Sequence, residues 1–203
     1  MLFQRFIRKH IPGLRVLPAS MEQYLPGVIL DPEKMRLLGH CRDLLPDEPE
    51  SSWTYTRSEA NMIYGTIAMD RKLSSRVNVL GVFSIGGGFS HDLRVHIEIR
   101  EMIGASLDMH QLILQPKLNE LRRIDRRGRW RLVNNRFVAL ETFYASEFRA
   151  TFFRKNQRIT KAELEKMSHV NVSGEIEYMW ETDKSLIITK NDKVPFGVRG
   201  FTV

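Results

Sequence analysis

A single cysteine, Cys41, in 203 residues leaves this chain without an intrachain disulfide. That argues for a reducing, intracellular setting. No stretch approaches the roughly 18–20 apolar residues of a membrane-spanning helix. No signal peptide is visible, because Arg5, Arg8 and Lys9 break the apolar run at the start. The histidines His10, His40, His91, His96, His110 and His169 are scattered, and none stands at a metal-gathering spacing such as His-Glu-x-x-His. Cys41 follows His40, but a cysteine nucleophile needs a base placed by the fold, which adjacency does not supply. Gly86-Gly87-Gly88 lacks the Lys-Ser/Thr of a phosphate loop, and glycines inside strands more often mark a bend. Asn171-Val-Ser173 fits a glycosylation acceptor, but without a secretion signal it reads as coincidence. The residues therefore ask for no enzyme, no cofactor, no metal and no small-molecule substrate.

What is present is positive charge. The net charge is +7, with 42% hydrophobic and 27% charged residues. Such a balance belongs to a globular domain with an anionic partner, either nucleic acid or acidic lipid headgroups. The length suits one domain.

The most informative pattern is Val170 to Glu181. Val170, Val172, Gly174, Ile176, Tyr178 and Trp180 fall on one strand face; Asn171, Ser173, Glu175, Glu177, Met179 and Glu181 fall on the other. Leu93–Arg100 repeats the scheme, with Leu93, Val95, Ile97 and Ile99 opposed by Arg94, His96, Glu98 and Arg100. Globular strands usually run about 5–6 residues, whereas a tilted bilayer-crossing strand needs roughly 9–11 with one lipid-facing row. Long half-exposed strands of an ordinary antiparallel sheet would look the same.

Phe3, Phe6, Ile7 and Ile11 form the stripe of a short opening helix flanked by Arg5, Arg8 and Lys9 and stopped by Pro12-Gly13. Such a helix can lie in a membrane interface or dock on the core. Strands are expected at Leu14–Leu17 and Val28–Leu30, and a helix at Glu33–Leu45. Strand character runs from Trp53 to about Arg100. A second helix spans Met109–Ile124, with Leu112, Ile113, Leu118, Leu121 and Ile124 as its apolar residues, interrupted by Pro116. A buried strand is expected at Leu132–Thr142 and continues through Phe148–Phe153, followed by a helical connector at Asn156–Met167 and closing strands at Leu186–Thr189 and Val194–Val203. The run Arg122-Arg-Ile-Asp-Arg-Arg-Gly-Arg-Trp-Arg131 sets six arginines against Asp125. It reads equally as a phosphate-binding cluster or as a solvated turn whose cations favour a helix C-terminus.

In order and spacing, these elements resemble the pore-forming domain of the gasdermins across nearly the whole chain. Leu14-Arg-Val-Leu-Pro18 is similar to that family's Leu-x-Pro-Val-Pro opening strand. Arg42-Asp-Leu-Leu-Pro-Asp47 is similar to its Leu-x-Asp-Val-Leu-x-Pro segment. Residues 77–97, where a Gly/Ser-rich stretch joins two amphipathic strands, resemble its first insertion region. The helix ending in Leu118-Asn-Glu-Leu121 and the terminus Val194-Pro-Phe-Gly-Val-Arg-Gly-Phe-Thr-Val203 also match. The family's C-terminal repressor domain or inhibitory tail has no counterpart, and no cysteine precedes Cys41 to be lipidated, as bacterial members often are. The whole of 1–203 is thus expected to be one pore-forming domain, resembling either a cleaved product or a member without a repressor, as in the fungal regulators of cell death.

The resemblance implies an α+β fold: a twisted antiparallel central sheet flanked by helices, with two regions, about 76–103 and about 140–182, able to extend into membrane β-hairpins. It implies an acidic phospholipid membrane as partner, a homo-oligomer when active, and a lytic pore. The expected lipid-binding residues are Phe3, Arg5, Phe6, Ile7, Arg8, Lys9, Arg122, Arg123, Arg126, Arg127 and Arg129. The expected inserting positions are Val77, Val79, Phe83, Ile85, Leu93, Val95, Ile97, Ile99, Phe148, Phe152, Val170, Val172, Ile176, Tyr178 and Trp180. Cys41, if exposed, is a possible redox restraint between copies. The alternative function is a soluble basic domain that binds nucleic acid.

Overall fold

The computed structural model describes residues 2–17, 24–68, 77–79, 83–85, 93–154, 168–170, 177–182 and 185–203. Helix α1 (Leu2–His10) leads to strands β1 (Arg15–Val16), β2 (Val28–Leu30) and β3 (Leu37–His40). A one-turn helix α2 (Cys41–Leu44) and a 3-10 turn (Glu50–Trp53) precede β4 (Tyr55–Ala60) and β5 (Ile63–Ala68). Next come β6 (Val77–Val79), β7 (Phe83–Ile85), β8 (Leu93–Arg100) and β9 (Met102–Leu107). Helices α3 (Gln111–Ile124) and α4 (Arg129–Val133) are followed by the long strand β10 (Phe137–Arg154). Strands β11 (Ser168–Val170), β12 (Glu177–Thr182) and β13 (Ser185–Thr202) complete the order. The registered strand pairs are antiparallel and the class is α+β, as expected.

The chain divides into two compact units: Met1–Pro12, Ala60–Met102 and Ala145–Val194 form one; Gly13–Glu59, Ile103–Tyr144 and Pro195–Val203 form the other. The strands β10 and β13 each contribute a part to both.

In the first unit, β8 lies between β5 and the second part of β10. Ile99 stands opposite Ile63 and Phe148, Ile97 opposite Gly65 and Ala150, and Val95 opposite Ile67 and Phe152. Directly opposed residues share a face, so the period-2 pattern read from sequence becomes one apolar surface across three strands. Ile63, Val95, Ile97, Ile99, Phe148, Ala150 and Phe152 are all buried there. Helix α1 packs on this unit through Phe6 and Ile7, also buried. Its last turn carries Arg8, Lys9 and His10, which suit the negative end of the helix dipole. The helix ends before Gly13, whose φ of +78° takes the chain out of helical geometry.

The second unit holds two apolar clusters. One gathers Ile29, Cys41, Leu44, Trp53, Leu114, Leu118, Leu121 and Val133, among others. The other gathers Leu17, Tyr24, Val28, Leu30, Met35, Phe137, Ala139 and Val198. Both clusters bridge segments far apart in sequence, so their burial cannot be read from local periodicity.

Five expectations of the local structure need correction. Glu33–Leu45 is a hairpin turn, a strand and one helical turn rather than a helix. The Asp31 carboxylate accepts the backbone N–H groups of Glu33 and Lys34, and Met35 sits at φ +52°, which closes β2 onto β3. Pro116 does not interrupt α3, which runs through it. The buried stripe of α3 is Leu114, Leu118 and Leu121, while Leu112, Ile113 and Ile124 are exposed. Leu132 and Val133 belong to α4, not to the strand that follows. The two closing strands are one continuous element, β13. The connector at 156–167 lies outside the described residues.

Candidate functional site

The expected lipid-binding helix has two unlike faces. Arg5, Arg8 and Lys9 are exposed, while Phe6 is 8% and Ile7 0% exposed in the packing of the first unit. Phe6 stacks edge-on against His10 at 5.1 Å. Burial of two bulky side chains makes α1 a docked helix in this conformation. Its apolar stripe reaches lipid only if the helix leaves its seat. Phe3 lies on the same helix, and its side chain is outside the described residues.

The expected inserting rows are brought into register. Besides the β5–β8–β10 face, Val77 of β6 pairs with Ile85 of β7, and Val79 pairs with Phe83. Phe83 also pairs with Val170 of β11, so positions from both candidate hairpin regions meet in one small sheet. In β12, Tyr178 stands opposite Ile188, and Trp180 opposite Leu186. Leu93 opens β8 opposite Arg154. Val172 and Ile176 lie outside the described residues.

The opposite face of β8 and β10 is a charged ladder. Arg100 donates to Glu98 at 2.5 Å and stands 3.6 Å from Glu147. Arg149 is 3.6 Å from Glu147, and His96 is 3.5 Å from Glu98. Thr66 and His96 are joined at 3.2 Å. One strand pair therefore separates a dry row from a row of paired charges, a division that alternation alone imposes.

The arginine run of the second unit is sorted by the fold. Asp125 accepts the backbone N–H groups of Gly128 (2.9 Å) and Arg129 (3.1 Å) and the Arg129 side chain (3.2 Å). Those bonds, with the Arg129 backbone N–H foremost, hold its carboxyl below the usual range. Arg129 also donates to the Leu44 carbonyl, and Arg123 pairs with Glu120 at 2.9 Å. The remaining four, Arg122, Arg126, Arg127 and Arg131, line an open hollow of about 620 Å³ together with Trp130 and Asn134. All four, with Trp130, lie in the arginine run read from the sequence, and three of them stand among the expected lipid-binding residues; Asn134, at the end of α4, is the lining residue that lies outside that run.

Cys41 is fully buried, and burial, followed by the nearby Asp43 charge, pushes its thiol up to about 12. In this conformation it offers no surface thiol to a second copy. Its neighbour His40 caps α2: the ring Nδ1 accepts from the Arg42 backbone N–H at 3.0 Å, which leaves Nε2 to donate to the Pro26 carbonyl at 3.0 Å. The His40 ring also meets Trp53 edge-on at 5.7 Å. This histidine is structural rather than a partner for Cys41 chemistry.

No protein-family model and no curated protein matches the chain. Among solved structures it is similar to a bacterial gasdermin from Bradyrhizobium tropiciagri, at 14% sequence identity and a TM-score of 0.49, with 92% of this chain and 80% of that chain covered. No helix among the described residues is long and apolar enough to cross a membrane, which says nothing of crossing by strands.

Proposed function

We propose that the chain is a pore-forming protein of the gasdermin kind, which binds acidic phospholipid membrane, assembles with copies of itself and inserts β-hairpins as a large lytic pore. The observation that carries this reading is the two-faced pairing of β8 with β10: Val95, Ile97, Ile99, Phe148 and Phe152 on one side, His96, Glu98, Arg100, Glu147 and Arg149 on the other. The 18 residues of β10 and of β13 exceed the roughly 9–11 that a tilted strand needs to cross a bilayer. In lipid, each unpaired backbone group costs several kcal/mol, so such strands require partners on both edges, and closure by identical subunits supplies them. The sequence resemblance supports the same assignment and adds its biological outcome, programmed death of the host cell in immunity or allorecognition. The inactive form resides in the cytoplasm and the active form at the cell membrane. The exposed cations Arg5, Arg8 and Lys9 make the first contact with anionic headgroups, and release of α1 exposes Phe6 and Ile7 to the interface.

Dye release from liposomes tests this reading. Vesicles containing phosphatidylserine or cardiolipin should leak and phosphatidylcholine vesicles should not. Retention of dye with gel-shift of an oligonucleotide would replace the pore by a nucleic-acid-binding role. Ile176→Arg on the expected lipid face should block release, because charge there costs roughly 2–4 kcal/mol near the midplane, while Glu177→Arg on the lumen side should leave a pore.

A further inference from the structure

Six arginines crowd the ten residues 122–131, and the fold neutralises only two of them. Arg123 is tied to Glu120, and Arg129 to Asp125 and the Leu44 carbonyl. Arg122, Arg126, Arg127 and Arg131 have no ion pair among the described residues, yet all four line the same hollow. Four guanidinium groups gathered without a carboxylate repel one another, and a multiply charged anion seated among them adds an attraction to each that offsets the repulsion. The volume of about 620 Å³ falls within the roughly 300–1,000 Å³ of ordinary ligand pockets.

The lining also contains two groups that a bare anion does not need. Trp130 is half-buried: part of it packs against the apolar cluster of α3 and α4, and the rest lines the hollow. A ring anchored in that way is a rigid platform for a planar ligand. Asn134 also lines the hollow and offers an acceptor and two donors on one short side chain. Cations for phosphate, an anchored indole for a ring and an amide for a polar edge make a complementary set.

We infer that this hollow is a binding site for a nucleoside phosphate, with the phosphates among Arg122, Arg126, Arg127 and Arg131, the base on Trp130 and Asn134 at the base edge. The assignment goes beyond the membrane reading and does not depend on it. A nucleoside phosphate held there would mask four of the cations that an acidic bilayer could otherwise recruit.

Isothermal titration of the full chain tests it with three probes: magnesium-free ATP, tripolyphosphate and vesicles containing phosphatidic acid. ATP should bind saturably at one site per chain. Tripolyphosphate should bind at least about fivefold more weakly, the lower end of what base stacking contributes. Arg126→Ala with Arg127→Ala, both exposed, should weaken ATP and tripolyphosphate by about tenfold or more. Trp130→Leu should weaken ATP alone. Because Trp130 also packs, loss of tripolyphosphate binding in that variant would signal misfolding, and the comparison of ATP with tripolyphosphate on the unaltered chain then decides. Equal affinity for the two would reduce the hollow to an oligophosphate site and overturn the proposal. Binding to phosphatidic acid vesicles alone, or no effect of the arginine pair on ATP, would overturn it too. Dye release from acidic vesicles is read separately, so the two ideas can fail independently.

Discussion

The ring of Phe6 lies directly on Gly65: a Cβ built at Gly65 would stand 2.7 Å from Phe6 Cε2. Gly65 is opposite Ile97, and Ile97 is opposite Ala150, so the middle row of the β5–β8–β10 face has small residues on both sides of one isoleucine. That low row is the seat of α1. Gly65→Ala should cost about 1–3 kcal/mol by overpacking, and Phe6→Ala about 3–5 kcal/mol by truncation. The double variant should cost less than the sum, because the smaller side chain removes the clash. Urea denaturation of the four proteins measures the coupling; strict additivity would mean that the two residues do not touch in solution.

The thiol of Cys41 should not react with Ellman's reagent in the native protein at pH 8, and should react fully in denaturant. Burial and a thiol pushed up to about 12 both keep the nucleophilic thiolate scarce. Cys41→Ala should leave the oligomeric state the same under oxidising and reducing conditions, as gel filtration would show. A disulfide-linked dimer formed from native protein would contradict the burial.

Acid should destabilise the protein through three carboxyls held below their ordinary value. Asp31 is lowered first by the Lys34 backbone N–H, Asp108 first by the Thr54 hydroxyl and then that of Thr56, and Asp125 first by the Arg129 backbone N–H. A carboxyl lowered on folding adds stability that is fully present above its unfolded value of about 4 and is lost as pH falls through the folded value. Stability should therefore decline below about pH 4, and Asp108→Asn should make that decline shallower. Thermal unfolding between neutral and acid pH checks this; an unchanged slope would remove Asp108 from the account.

Charge reversal of Arg5, Arg8 and Lys9 to Glu should abolish sedimentation with acidic liposomes while far-ultraviolet circular dichroism stays unchanged. Each interfacial cation contributes about 1 kcal/mol near an anionic surface, and all three side chains are exposed, so the fold does not depend on their burial. Unchanged sedimentation would remove α1 from the membrane contact.

The alternation of Val95, Ile97 and Ile99 with His96, Glu98 and Arg100 was legible because a strand's period of two is a local property, and the observed burial follows it. The opening helix and its stop at Pro12-Gly13 were legible for the same reason. The stretch 33–45 misled because its residues favour a helix locally, while the Asp31 carboxylate captures two backbone N–H groups and turns the chain into β3 instead. Leu132 and Val133 misled because Asp125, seven and eight residues back, nucleates α4 by taking the Gly128 and Arg129 N–H groups. By itself the sequence determined the cationic character, the period-2 rows and the spacing that resembles a pore-forming family. Only the tertiary structure decided that Phe6 and Ile7 are docked, that Cys41 is buried, and that four of six arginines share a hollow. Those outcomes rest on partners such as Gly65, 59 residues from Phe6, and the Leu44 carbonyl, 85 residues from Arg129. Contacts across such distances depend on which surfaces pack, and no local period encodes that.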